Sequence, residues 1–462
     1  MSENVQNAYR FCICTYFDTR MVGMILLGVG GANFRSLRDE WELSLLRPSL
    51  RHNIPPKGEL WREHVWPCAA IYGANASGKS TVLEALNFIR DAVYNSARSW
   101  ASADKLPVPP FALDPEKRNA DTTLWIDFVT DGIRYVYSFT LNERVIVREE
   151  LRAYYSTRAT MLIDRDVRGH KVHPTRVGKI NEVSPRELVL SRASVLDTKV
   201  LGDLARTIGR ELLMYRVGNS DYDLQVHRLT SDLSKNIAKR RLYASLAKVA
   251  DVGIDDISVE SREFPPELLD MLKKLIPEQH QDEEITAELV KQFALALRFS
   301  HKGAKDSITF AAEQESLGTT SWLALGSLAV EALRSGKVVC VDEIDASLHP
   351  MLATELIAAF QDPELNTNGG QIIFTSHNPY FLSNESDTGL MPGQVWLTEK
   401  NNEGATDLFS VADFPDVKPG TDMASLYMSG RLGATPLLEP WLFRKMIGGH
   451  SDGEKTSPTA SA

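Results

Sequence analysis

The sequence predicts an α/β protein built on a mixed sheet with flanking helices. Three observations predict it. The apolar stretch Ala69-Ala70-Ile71-Tyr72 runs into a glycine-framed turn, Gly73 to Thr81. A second apolar stretch, Val338-Val339-Cys340-Val341, ends in Asp342 and Glu343. A third, Gln371-Ile372-Ile373-Phe374, ends in Thr375-Ser376-His377. Short apolar runs that each deliver polar residues at their C-terminal end are how buried parallel strands present chemistry at one sheet edge.

In chain order, residues 1–23 read as an N-terminal extension or an overcalled start, since Met21 and Met24 are both plausible start codons. Residues 24–184 read as a first lobe of strands around the turn. The turn itself, Gly73-Ala74-Asn75-Ala76-Ser77-Gly78-Lys79-Ser80-Thr81, fits the phosphate-loop pattern G-x-x-x-x-G-K-[ST]. A helix is expected directly after it, with Val82, Leu86, Ile89 and Val93 on one face. Strand, glycine turn and helix together are the context the motif requires. The glycines let the backbone close around a pyrophosphate, and successive N–H groups form an anion nest. Lys79 would reach the β- and γ-phosphates, and Ser80 would hold Mg²⁺. Further on, Trp125 to Val129 and Ile133 to Phe139 flank Thr130-Asp131-Gly132, a strong hairpin signal.

Residues 185–304 read as a helical arm, with Leu201, Leu204, Ile208, Leu212 and Leu213 on one face. The sustained heptads of a long coiled coil are missing, so the arm is compact. Residues 305–447 form a second lobe. There Ser316-Leu317-Gly318-Thr319 opens an apolar helix, a second place where backbone N–H groups meet an anion. A serine before a helix is more often an ordinary N-cap. Asp342 would take the outer shell of Mg²⁺, and Glu343 would act as general base toward an attacking water. His377 could hydrogen-bond the γ-phosphate or that water. Residues 448–462 are small and polar and read as a disordered tail.

Bulk properties bound the class. The chain has 462 residues, 43% hydrophobic and 24% charged, an ordinary globular composition. No apolar run approaches the roughly 20 residues needed to span a bilayer. Arg10, Asp18 and Arg20 interrupt any signal-peptide layout, so a cytoplasmic protein with no membrane contact is expected. Four cysteines fit a reducing compartment, and Cys12 and Cys14 form no zinc pattern. Cys340 reads as an inert core thiol. The net charge of −10 argues against a protein that coats nucleic acid. Local binding stays open at two basic stretches, Arg165 to Lys171 (with Arg176 and Lys179) and Lys235 to Arg241.

The order of these motifs resembles the ABC-type P-loop ATPase head. More narrowly, it is similar to the RecF/SMC/OLD-like AAA group of bacterial phage-defence (abortive infection) systems. The opening Ala32-Asn33-Phe34-Arg35-Ser36-Leu37 and the late Leu426 to Pro436 are similar to that group's first strands and C-terminal signature. The resemblance covers about residues 24–440.

The resemblance implies an ATPase that uses ATP and Mg²⁺ and acts as a homodimer or higher homo-oligomer. The phosphate loop, Asp342, Glu343 and His377 of one chain would face Ser316, Gly318 and Thr319 of another. Asp345 would be the acid that communicates across the dimer. The signature is Ser-Leu-Gly-Thr rather than the transporters' Ser-Gly-Gly-Gln. No glutamine is assignable between loop and arm, where Pro110 to Asp114 stands instead. The resemblance further implies a sensor, switch or scaffold in anti-phage defence. No second glycine-framed set of paired carboxylates follows His377, so a nuclease, of Toprim or another type, is expected in a separate effector protein. A RecF-like clamp on duplex DNA is the alternative reading. A transporter subunit fits least, given the long arm and divergent signature.

Overall fold

The computed structural model describes residues 23–173, 175–178, 180, 182–216, 219–250, 253–261, 295–303, 306–346, 348–436 and 439–447. The extension 1–23 (all but residue 23), the tail 448–462, Cys12, Cys14, Lys179 and Ser347 therefore lie outside the described residues.

Seven strands form an antiparallel sheet: β1 (Ile25–Ala32), β2 (Trp41–Ser44), β4 (Thr122–Thr130), β5 (Ile133–Leu141), β6 (Ile146–Tyr154), β7 (Thr160–Asp166) and β8 (Gly169–Val172). Their order is β2-β1-β4-β5-β6-β7-β8. The β4–β5 hairpin turns on Asp131 and Gly132, with φ 51° and 73°. Two consecutive left-handed residues are what a two-residue turn of matching twist demands, which is why Asp-Gly stands there.

The central sheet has six strands: β3 (Cys68–Gly73), β9 (Leu212–Arg216), β13 (Val338–Asp342), β14 (Gln371–Thr375), β15 (Val395–Lys400) and β16 (Thr406–Ser410). The order is β16-β15-β3-β14-β13-β9, parallel except for the β15–β16 edge pair. The sheet is thus mixed, and the α/β expectation holds. Strand periodicity puts successive residues on opposite faces. Ala69, Ile71, Val338, Cys340 and Ile373 enter one core, while Cys68, Ala70, Tyr72, Val339, Val341, Ile372 and Phe374 enter another. Burial on both faces explains why these strands are continuously apolar rather than alternating. The first core is shared with the antiparallel sheet and with helix α1 (Lys79–Asn95), whose Val82, Leu86, Ile89 and Val93 are fully buried.

Residues 185–304 depart from a purely helical arm. Helices α2 (Val189–Val195) and α3 (Lys199–Glu211) come first, then α4 (Asn219–Lys235) and α5 (Ile237–Val249) follow β9. The helical face read from Leu201 through Leu213 ends at Glu211, and Leu212 and Leu213 begin β9. An apolar run in phase with a helix face hid the change of period. β9 pairs in parallel with β13, Asp342 opposite Arg216, so this segment contributes the edge of the central sheet. A three-stranded antiparallel sheet follows: β10 (Ile254–Ser261), β11 (Leu295–Lys302) and β12 (Ser307–Ala311). Helix α6 (Leu317–Ser335) covers the second core and ends at Gly336 with φ 67°. That left-handed cap turns the chain directly into β13. Helix α7 (Pro350–Gln361) packs on the same side.

Candidate phosphate-binding and catalytic site

The C-terminal ends of β3, β13 and β14 bring the sequence-predicted residues together. Lys79 is buried, and its Nζ donates to the carbonyls of Gly73 (3.1 Å) and Ala74 (3.0 Å). Burial holds its pKa below the ordinary lysine value, opposed by the nearby acids Glu343, Asp342 and Asp345. Ser80 Oγ donates to Asp342 Oδ1 at 2.9 Å. Gly78 caps α1 with φ 108°, and a Cβ there would sit 2.3 Å from Thr406 Oγ1. A Cβ on Gly73 would sit 2.4 Å from Thr398 Oγ1. The loop is therefore closed around its glycines by two threonines from the β15–β16 edge. Ser77 Oγ pairs with Thr398 Oγ1 at 2.6 Å, and Thr406 Oγ1 donates to Ser77 O at 2.7 Å. Asn75 and Ala76 form the exposed tip of the loop, Ala76 with φ 61°.

Thr375 organises the acids. Its hydroxyl, fully buried, donates to Asp342 Oδ1 at 2.7 Å and accepts the Glu343 N–H at 2.7 Å. Glu343 is exposed and left-handed, φ 55°. In that conformation the chain turns sharply off β13. Asp345 Oδ2 accepts the His377 N–H at 3.2 Å, while its Oδ1 is buried without a hydrogen-bond partner. His377 stands at the rim. Desolvation, then the Lys79 charge, hold its pKa below the usual imidazole value, with the three acids opposing. Tyr72 Oη donates to Asn378 O at 3.0 Å, tying the phosphate strand to the histidine turn. Tyr427 packs edge-on against Tyr72, ring centroids 5.7 Å apart. The late segment around Tyr427 is thus part of this neighbourhood.

The Ser316 turn is built as an N-cap: Ser316 Oγ accepts the Thr319 N–H at 3.0 Å and pairs with Thr319 Oγ1 at 2.8 Å. Gly318 lies in the first turn of α6. These hydrogen bonds stay inside the turn and do not reach the phosphate loop of the same chain.

Beside Asp342 opens a cavity of about 650 Å³, lined by Arg35, Glu84, Arg216, Gln225 and Arg228 among others. Glu84 pairs with Arg35 (3.0 Å) and Arg216 (2.8 Å). Gln225 is buried; its Nε2 donates to Arg216 O, and its Oε1 has no hydrogen-bond partner. Nothing local marks this glutamine, which stands within the arm and not between loop and arm. Pro110 to Asp114 packs elsewhere: Phe111 N donates to Asn33 Oδ1, and Phe111 is buried. Thr375, Thr398 and Thr406 were equally invisible, since a threonine in or near a strand carries no local signature of what its hydroxyl meets.

The residues suit a nucleotide with Mg²⁺. Ser80 and Asp342 form a hard oxygen donor pair, Asp345 Oδ1 is an unpartnered buried carboxylate oxygen, and the glycine cradle leaves no room for a Cβ.

Several residues of the basic stretches are paired within the chain. Arg165 is buried against Glu149, Arg168 pairs with Asp166 at 2.6 Å, and Arg176 stacks over Tyr155. Lys239 pairs with Asp232, and Arg240 with Asp256. Cys340 is buried, its thiol pKa pushed up to about 12 by burial, which fits an inert core residue. Among the described residues, no helix is long and apolar enough to cross a membrane.

A phosphate loop on a mixed sheet, with an acidic strand end beside it, defines a P-loop protein of the α/β class. The family model described as "AAA domain, putative AbiEii toxin, Type IV TA system" matches residues 68–183 and 201–383. The chain belongs to this family. Solved structures with some likeness include the Smc head domain with an extended coiled coil, bound to the C-terminal domain of ScpA, from Pyrococcus furiosus. It is 12% identical, with a TM-score of 0.37, covering 88% of this chain and 99% of that one. The Smc head domain with a coiled coil and joint from Pyrococcus yayanosii is 12% identical, with a TM-score of 0.35 and the same coverage, 88% and 99%. cbiO1 from Clostridium perfringens, part of the ABC transporter complex cbiONQ, is 11% identical, with a TM-score of 0.28, covering 92% and 99%. No curated protein matches the chain in sequence.

Proposed function

We propose that the protein binds and hydrolyses ATP in a site completed by a second copy of the chain, and that this cycle switches a separate effector in anti-phage defence. The observation that carries the ATPase reading is the junction of Ser80, Asp342 and Thr375, which joins the phosphate loop to the acidic strand in one hydrogen-bonded unit.

In this reading the nest from Gly73 to Thr81 binds the phosphates, and Lys79 exchanges its two carbonyl partners for phosphate oxygens. Ser80 and Asp342 would hold Mg²⁺, which supplies charge neutralisation of the phosphates when bound. Glu343, exposed at the strand end, orients a water and accepts its proton. His377 hydrogen-bonds at the γ-phosphate side as a neutral imidazole. Ser316, Gly318 and Thr319 of the partner copy face the same phosphate, Gly318 through its free first-turn N–H, and Asp345 links the histidine turn to the dimer face. The exposure of Glu343 and His377 supports a site open on one side for such a partner.

The defence role rests on the family's description, "putative AbiEii toxin, Type IV TA system", together with the late-segment resemblance. A separate effector protein, a nuclease by class, is the expected partner. The RecF-like clamp loses support because Arg165, Arg168, Lys239 and Arg240, the centre of the two basic stretches, are paired with acids within the chain. The test is Ser316→Arg, which should leave ATP binding by the single chain intact while abolishing turnover. Unchanged turnover would remove the composite site from the account, and salt-sensitive duplex binding that stimulates turnover would favour the clamp.

A further inference from the structure

We infer that His301 is a positioning residue for ATP turnover: it holds Glu315 and thereby sets the Ser316 turn from the arm sheet. The inference rests on the composite-site reading and adds a residue to it.

His301 stands in β11, the middle strand of the three-stranded sheet, opposite Ile254 on β10 and Ile308 on β12. Its Nε2 meets Glu315 Oε1 at 2.5 Å, and its ring packs edge-on against Phe310 at 5.1 Å. The pair is sheltered, with side chains 25% and 9% exposed. Glu315 immediately precedes Ser316, the N-cap of α6. The contact links β11 to the residues that lead into α6.

The chemistry explains why such a link matters. The first N–H groups of a helix have no intrahelical partner and attract any nearby anion. A carboxylate one residue ahead of the cap is well placed to take them, in competition with a phosphate. The His301 contact occupies Glu315 Oε1 and keeps that oxygen turned toward the arm. Ser316 then caps Thr319, and the other first-turn amides stay available. The rest of α6 is fastened to the arm independently: Trp322 Nε1 donates to Leu246 O at 2.7 Å, and Tyr215 Oη to Ser321 O at 3.2 Å. Loss of His301 should therefore free the turn without releasing the helix.

The test uses the full-length chain with ATP and Mg²⁺. His301→Ala should lower kcat by about ten-fold or more, while the affinity for nucleotide, set by the phosphate loop, stays within about two-fold. His301→Gln keeps an N–H donor and should recover most of the lost kcat. Thermal stability should fall modestly in His301→Ala, because Glu315 loses its partner, and recover in His301→Gln; a kcat loss that His301→Gln restores at saturating ATP in folded protein separates the positioning role from simple unfolding. The inference is overturned if His301→Ala turns over like the parent, if it loses nucleotide affinity in proportion to kcat, or if His301→Gln is no better than His301→Ala. Ser316→Arg run alongside separates the two claims. If that variant hydrolyses ATP normally, the composite site itself is wrong; if it is inactive and His301→Ala is not impaired, only the role of His301 fails.

Discussion

Thr375→Val is the perturbation that asks most of the site. Valine is nearly isosteric with threonine, so the packing of a fully buried position is preserved. What is lost is one hydroxyl with two partners, each at 2.7 Å: Asp342 Oδ1, to which it donates, and the Glu343 N–H, which it accepts. A hydrogen bond to a charged group contributes about 1.5–3 kcal/mol, and an orphaned amide costs about 1–3 kcal/mol. Asp342 keeps Ser80 as a donor at 2.9 Å, so the loss falls at the low end, about 2–3 kcal/mol in all. Glu343 is left-handed and depends on that amide contact for its direction. If about 2 kcal/mol of the loss is felt as misplacement of the acids during turnover, kcat falls about 30-fold. The assay is phosphate release at saturating ATP, paired with nucleotide binding by a fluorescent analogue. Binding should change little, because Lys79 and the glycine cradle are untouched. Turnover within about two-fold of the parent would refute the claim that Thr375 holds the two acids.

Other expectations concern the glycines and the histidine. Gly78→Ala places a Cβ 2.3 Å from Thr406 Oγ1 at φ 108°, so nucleotide binding should be lost and thermal stability lowered by about 2 kcal/mol or more; Gly132→Ala, at φ 73° in open space, should cost only about 1 kcal/mol and leave nucleotide binding alone. His377 has a folded pKa below its ordinary value, so between the two values the unfolded chain binds more protons. Its neutral form dominates above about pH 6.5, and both its stabilising share and turnover should decline as pH falls through the window beneath that value. A turnover profile for His377→Gln that keeps the same acidic limb would assign the decline to another group.

Much of the fold was legible because its signals are local. The phosphate loop, α1, the β4–β5 hairpin and strands β13 and β14 each announce themselves within a few residues, through glycine placement, helical spacing or β-branched runs. What the chain hides is long-range. β9 reads as the end of a helix because Leu212 and Leu213 continue an apolar face, and only pairing with β13 reveals it as a strand. Thr375, Thr398 and Thr406 each act through one hydroxyl whose partner lies in another segment. The basic stretches look available in sequence, yet Arg165 reaches inward to Glu149 and Arg168 folds back on Asp166. Tyr427 could be recognised as part of a late motif, but its contact with Tyr72 appears only when the chain is folded.

The most direct test of the central claim is the mass in solution of Glu343→Gln protein, measured with ATP and Mg²⁺ and again with neither. The account predicts a shift to at least two copies with ATP retained unhydrolysed. A protein that stays single with ATP bound would contradict the composite site, and one that hydrolyses ATP at the parent's rate would contradict the role of Glu343.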